Sequence, residues 1–193
     1  MIKQLSSTDY RQMLWKNGAG YTVELARSAG ENLDTFDWRI SMADVKSAGD
    51  FSRFNGMQRI LTVLEGQGIE LSIDDKHEPL TTLQSVQFSG ESATRCKLID
   101  GPIRDFNLIY DPKQFHARLQ WYFEPTKTEI FSSADLIFIF NQSTEPLEIE
   151  IDGQVFQLQH QEILYIEQEK SLKKVVLNPQ ILKQTCLIEL IKI

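Results

Sequence analysis

The stretch Leu147-Glu148-Ile149-Glu150-Ile151-Asp152-Gly153-Gln154-Val155-Phe156-Gln157-Leu158 decides how the chain is read. Leu147, Ile149 and Ile151 fall on one face of an extended segment, with Glu148 and Glu150 on the other. That is the period of two followed by side chains along a half-buried strand. Asp152-Gly153 then supplies two residues that tolerate positive φ, as a tight two-residue hairpin requires, and alternation resumes in shifted phase at Val155. The pattern spreads outward. Phe36, Trp38, Ile40 and Met42 share one face, with Asp37, Arg39 and Ser41 opposite; Ile69, Leu71 and Ile73 oppose Glu70 and Ser72. Further strand-like runs are Tyr21–Ala26, Arg59–Leu64, Arg104–Tyr110, Ala117–Phe123, Leu136–Phe140, Ile163–Ile166 and Cys186–Ile191. Turn signals such as Glu65-Gly66-Gln67-Gly68 and Asp100-Gly101-Pro102 separate them. Helix is scarce: Ser7–Leu14 offers one or two turns behind a Ser or Thr cap, and Pro179–Gln184 offers another. Many short strands with regular turns predict an all-β sandwich or barrel.

The 193 residues suit one compact domain or two small ones. With 41% hydrophobic and 24% charged residues, the bulk of the chain has the composition of a folded globule. Residues 1–112 are rich in Gly, Arg, Asn and aromatic side chains, whereas residues 113–193 repeat strand and turn with many Gln and Glu. A site-bearing unit over 1–112 and a packing unit over 113–193 are expected, with exchange of strands between them open. No apolar run reaches the roughly 18–20 residues of a membrane helix, and Met1–Ser6 lacks the apolar core of a signal peptide. Cys96 and Cys186 stand far apart among apolar neighbours. They read as reduced core residues of a cytoplasmic protein, a disulfide being the alternative. A formal net charge of −7 argues against nucleic acid and anionic membrane as partners, since both demand a basic footprint. It leaves a small anionic ligand open, because a few arginines inside a pocket outweigh distant surface charge.

Three clusters carry chemistry. In Trp15-Lys16-Asn17-Gly18-Ala19-Gly20-Tyr21-Thr22-Val23-Glu24, the glycines allow close backbone approach. No Gly-Lys-Ser/Thr follows and the continuation alternates like a strand, so a phosphate loop competes with a plain glycine turn. In the second cluster Arg39 and Ser41 share a strand face, and Arg59 stands at the entrance of the apolar run Ile60–Leu64. An inward Arg59 needs a carboxylate, Glu24 or Asp105, or a bound anion, because an unpaired buried charge costs several kcal/mol; an outward surface arginine is the other reading. In the third, Asp105, Asn107 and Ile109 share parity opposite Phe106, Leu108 and Tyr110, either as a surface edge or as one wall of a polar pocket. His77, His116 and His160 are isolated and no cysteine lies at ligand spacing, so no metal is expected. No Gly-x-Ser-x-Gly occurs; Cys96, between Arg95 and Lys97, is a reactive thiol only if exposed.

At these clusters the sequence resembles the HutD/Ves family. The carrying residues are Trp15-x-Asn17-Gly18-x-Gly20-x-Thr22-x-Glu24-x-Ala26, then Phe36-x-Trp38-Arg39-x-Ser41-x-Ala43-x-Val45, Gly49-x-Phe51-Ser52-x-Phe54-x-Gly56-x-x-Arg59-x-Leu61, and Asp105-x-Asn107. The resemblance implies a cupin-like fold with two β-barrel units in one chain. It also implies a bacterial cytoplasmic protein tied to histidine utilisation or to stress. Cupins often bind a metal through two histidines, a glutamate and a later histidine. Here Arg53, Asn55 and Arg59 occupy the region where the first such motif would stand.

The reading that follows is a metal-free protein, without a cofactor, that binds a small carboxylate such as a urocanate-like or formylglutamate-like anion. Trp15, Asn17, Glu24, Arg39, Ser41, Arg59, Asp105 and Asn107 are its expected ligand-binding residues. Two alternatives stand beside it: a hydrolase or isomerase using Glu24 or Asp105 as general base, and a protein-interaction module docking through the glycine-rich opening segment.

Overall fold

The computed structural model describes residues 1–15, 20–30, 35–168, 171–179 and 184–193. They form strands, turns and irregular segments, with no helix among them. After β1 (Ile2–Leu5) come β2 (Arg11–Leu14), β3 (Tyr21–Arg27), β4 (Trp38–Val45), β5 (Gly49–Asp50), β6 (Gln58–Glu65), β7 (Ile69–Ile73), β8 (Lys76–Leu80), β9 (Ser85–Ser89), β10 (Thr94–Leu98) and β11 (Ile103–Tyr110). They are followed by β12 (Phe115–Tyr122), β13 (Thr128–Ser132), β14 (Leu136–Asn141), β15 (Leu147–Ile151), β16 (Gln154–Leu158), β17 (Ile163–Glu167), β18 (Lys173–Pro179) and β19 (Thr185–Lys192). Two compact units result, one of Tyr10–Gln114, the other of Met1–Asp9 with Phe115–Ile193.

In the Tyr10–Gln114 unit a six-stranded sheet in the order β2-β3-β4-β11-β6-β9 and a four-stranded sheet in the order β5-β10-β7-β8 enclose one core. Val45, Leu61, Val63, Phe88 and Ile103 of the first sheet meet Ile69, Leu71, Leu80 and Cys96 of the second. The reverse face of β4 and β11 is apolar and buried as well, through Ile40, Met42, Phe106 and Leu108. A strand buried on both faces shows no clean hydrophobic alternation, so its inward polar residues stand out.

The other unit joins β1-β17-β14-β19-β12 to β13-β18-β15-β16. Its interior is filled by aliphatic side chains, among them Ile137, Ile139, Ile149, Leu164, Val175 and Leu177. The hairpin at Asp152-Gly153 has the expected geometry, with φ of 48° and 84° and Ile151 paired to Gln154.

The helix expected over Ser7–Leu14 does not form. Ser6 to Asp9 makes a turn closed by the Asp9 amide on the Ser6 carbonyl, and Arg11–Leu14 pairs antiparallel with Tyr21–Glu24. Four residues gain more from an existing strand edge than from one nucleated helical turn. The helix expected over Pro179–Gln184 lies mostly outside the described residues. Cys96 and Cys186 are buried and free.

Candidate functional site

Strand register gathers the polar residues of the Tyr10–Gln114 unit on the core-facing side of its larger sheet. Residues directly opposite on paired strands share a face, which makes the register a map of that side. One row runs Thr22, Ala43, Asp105, Val63 across β3, β4, β11 and β6. The next runs Glu24, Ser41, Asn107, Leu61, and a third runs Arg39, Ile109, Arg59, Phe88. Leu61, Val63 and Phe88 belong to the core of the unit, so the polar residues in these rows face that core. Arg39 and Arg59 stand two strands apart in one row, a backbone separation of about 10 Å. Trp38 projects to the reverse face and is buried there.

Arg59 is 5% exposed. Its guanidinium carbon lies 4.6 Å from the Phe51 ring centroid and 5.5 Å from that of Phe88. Its Nε and Nη2 donate to Asn107 Oδ1 at 2.7 and 2.5 Å. Asn107 Nδ2 in turn donates to Asp105 Oδ1 at 2.6 Å. A neutral amide thus stands between the buried cation and the buried carboxyl. Burial lowers the Arg59 pKa to about 10, the nearby Asp105 opposing that shift and Arg39 adding to it, so Arg59 keeps its charge at neutral pH. Burial raises Asp105 to about 7, against the pull of Arg59, Asn107 and the Ala43 amide. Asp105 Oδ2 is buried and makes no hydrogen bond of ordinary geometry.

Arg39 is balanced separately. Its Nε lies 2.8 Å from Glu24 Oε2, with both side chains about nine-tenths buried. Ser41, on β4, is buried between Glu24 of β3 and Asn107 of β11 in the same row. Trp15 is half-buried, packs against the core and donates from Nε1 to Thr22 Oγ at 2.9 Å. Asn17 lies outside the described residues. Seven of the eight expected residues are therefore described: Glu24, Ser41, Arg39, Arg59, Asn107 and Asp105 lie in the inward rows, with Trp15 at their margin.

Two neighbours had no expected role. Phe88 closes over Arg59 from β9, a short and mostly exposed strand whose sequence gives little alternation. Arg27 reaches the Arg39 row because the register of β3 against β4 shifts between Glu24 and Ala26. That bulge inverts the parity of everything after it; Arg27 Nη2 donates to the Gly30 carbonyl at 3.2 Å.

The donor set does not fit the metal site implied by cupin resemblance. His77, His116 and His160 are exposed, and the interior rows present the guanidinium groups of Arg39 and Arg59. Arg53 and Asn55 are exposed and only Arg59 of that trio faces inward. Among the described residues no three His, Cys, Asp or Glu side chains converge on one point. Cys96 is not a reactive thiol: burial raises its pKa, while Arg95 and Lys97 point outward to Asp50 and Glu70.

A family model described as HutD matches residues 7–183. An uncharacterized 21.2 kDa protein in the hutC 3' region of Pseudomonas putida is 43% identical over 192 residues, 98% of this chain and 97% of that one. Protein Ves of Escherichia fergusonii is 36% identical over 138 residues, 69% of this chain and 71% of its own. The solved structure of HutD from Pseudomonas fluorescens SBW25, described as a formate condition, has a TM-score of 0.87 at 39% identity and covers all of both chains. YhhW of Escherichia coli has a TM-score of 0.68 at 10% identity over 98% of this chain and 97% of that one, a likeness of fold alone. The architecture is cupin-like, as the motif resemblance implied. No helix among the described residues is long and apolar enough to cross a membrane.

Proposed function

This chain belongs to the HutD family, and we propose that the interior of its Tyr10–Gln114 unit binds a small carboxylate without a metal. One observation carries the reading: the hydrogen bonds of buried Arg59 go to Asn107, a neutral acceptor, and not to a carboxylate. A buried cation lacking a direct anionic partner is costly, and a carboxylate is the group whose two oxygens match a guanidinium fork. Arg59 grips the anion, Arg39 lies along the same row, and Asn107, Ser41 and Glu24 orient its polar groups. Trp15 offers a flat wall. Phe51 and Phe88 keep water from the guanidinium.

The relatives suggest the setting. One is named for the hutC 3' region and another is Ves, so a urocanate-like or formylglutamate-like ligand and a role in histidine utilisation or a stress response belong to the same proposal. So does a cytoplasmic location, which two free buried cysteines support. A thermal-shift panel of formate, urocanate, formylglutamate, formiminoglutamate and histidine tests it. A bound carboxylate at one hundred times its dissociation constant adds about 2.7 kcal/mol of stability. The absence of any shift at millimolar concentration would overturn the proposal.

A second reading rests on Asp105. A buried carboxyl with a pKa near 7 suits a general base, better than Glu24, which is tied to Arg39. Turnover of a panel ligand that is lost in Asp105→Asn while binding persists would favour an enzyme.

A further inference from the structure

We propose that the site takes up its carboxylate together with one proton, and that Asp105 is the group that holds the proton. The inference rests on the reading of Arg59 as the anion-gripping group and adds a regulation to it. Among Glu24, Arg39, Arg59 and Asp105 the charges balance when the site is empty. Glu24 and Arg39 cancel in direct contact at 2.8 Å. Arg59 and Asp105 cancel through Asn107, whose amide accepts from one and donates to the other. A carboxylate seated on Arg59 would add one uncompensated negative charge at a buried position, which is unfavourable in a low dielectric. Neutralising one of the two interior carboxyls removes that cost. Glu24 is held by a direct ion pair. Asp105 has no direct contact with a guanidinium, and its buried Oδ2 makes no hydrogen bond of ordinary geometry. Protonated, that oxygen becomes a donor available to the ligand.

The groups around Asp105 leave the proton to it. Arg59 on β6 remains cationic well above neutral pH, and Cys96 on β10 is held protonated by burial. Asp44, on the reverse side of β4, is held low chiefly by its hydrogen bond from Arg104. Arg39 on β4 and Glu24 on β3 are engaged with each other, and Asn107 on β11 does not titrate. Arg27, beyond Arg39, is half-buried and donates from Nη2 to the Gly30 carbonyl. Burial has already brought Asp105 to about 7, so its protonation at neutral pH is within easy reach.

Calorimetric titration with formate, in pairs of buffers that differ in ionisation enthalpy, measures the protons taken up per ligand bound. At pH 8 wild-type protein takes up close to one proton, at pH 5.5 almost none, and above pH 7 the dissociation constant rises toward about tenfold per pH unit. Asp105→Asn, neutral at every pH, binds formate about tenfold more tightly than wild type at pH 8 and takes up no proton. Formate binding to the wild type at pH 8 without proton uptake would overturn this proposal and leave the reading of Arg59 intact. Failure of formate and of every other carboxylate in the panel to bind at any pH would overturn both. Should Asp105→Asn not fold, the proton count on the wild type decides the matter unaided.

Discussion

Arg59 sits where a lysine could not replace it. The Phe51 and Phe88 rings lie within 5.5 Å of the guanidinium carbon, while two of its nitrogens meet Asn107. An ammonium has neither the plane nor the fork. Asp105 gives this arrangement a pH signature. Its folded pKa, about 7, stands above the ordinary aspartate value of 3.8, so between those limits the folded state holds more proton than the unfolded one. The stability contributed by the neutral carboxyl is present in full below the unfolded pKa and is lost as pH rises through the folded value. Wild type therefore loses about 1.4 kcal/mol per pH unit across that window from this group. Asp105→Asn lacks this slope, so urea denaturation should show the mutant gaining roughly 2–3 kcal/mol on wild type between pH 5 and pH 7. A gap that stays constant from pH 5 to pH 7 would mean that Asp105 is ionised throughout.

Elements differ in how plainly they can be read from their residues. β4, β6, β7, β11, β14 and β15 were each legible to within a residue or two, because their apolar sets alternate or run unbroken. β8, β9, β10 and β13 carry little pattern: they are short and their exposed positions are mostly charged or polar, with Phe131 on β13 exposed as well, so packing and not pattern holds them. β18 is different. Val175, Val176 and Leu177 are buried in mid-sheet, yet the run begins with Lys173-Lys174 and looks too brief to stand as a strand. In the site, parity correctly grouped Arg39 with Ser41 and Asp105 with Asn107, since those strands are regular between the residues concerned. It missed Arg27, because a bulge leaves no mark in the letters. Turns also separate by cause. Gly66 has φ of 97° and an added Cβ would lie 2.6 Å from the Pro102 carbonyl oxygen, whereas Gly101 has φ of 68° with nothing within 4 Å. Gly101→Ala should cost only backbone strain, about 1 kcal/mol. Gly66→Ala must also displace backbone, and denaturation should find it the more costly by at least about 1 kcal/mol. Equal costs would mean that the Glu65–Gly68 turn yields freely.

At the scale of the molecule, one architecture serves two interiors. The unit formed by Met1–Asp9 and Phe115–Ile193 closes around isoleucine, leucine and valine. The Tyr10–Gln114 unit keeps an apolar core at one part of its interior and places Arg39, Arg59, Glu24, Asp105 and Asn107 along the adjoining rows. Composition hinted at this contrast, with arginine and asparagine concentrated before residue 113. What composition could not convey is the pairing, in which Glu24 satisfies Arg39 while a neutral amide stands between Arg59 and Asp105. That inequality between the two arginines is the basis of the functional reading. A crystal structure of the protein grown with formate at a concentration that saturates its thermal shift puts the reading to the most direct test. The account predicts a carboxylate on the Arg59 guanidinium inside the Tyr10–Gln114 unit. Formate bound only at the surface, with the Arg59–Asn107 contact unchanged and no anion beside it, would contradict it.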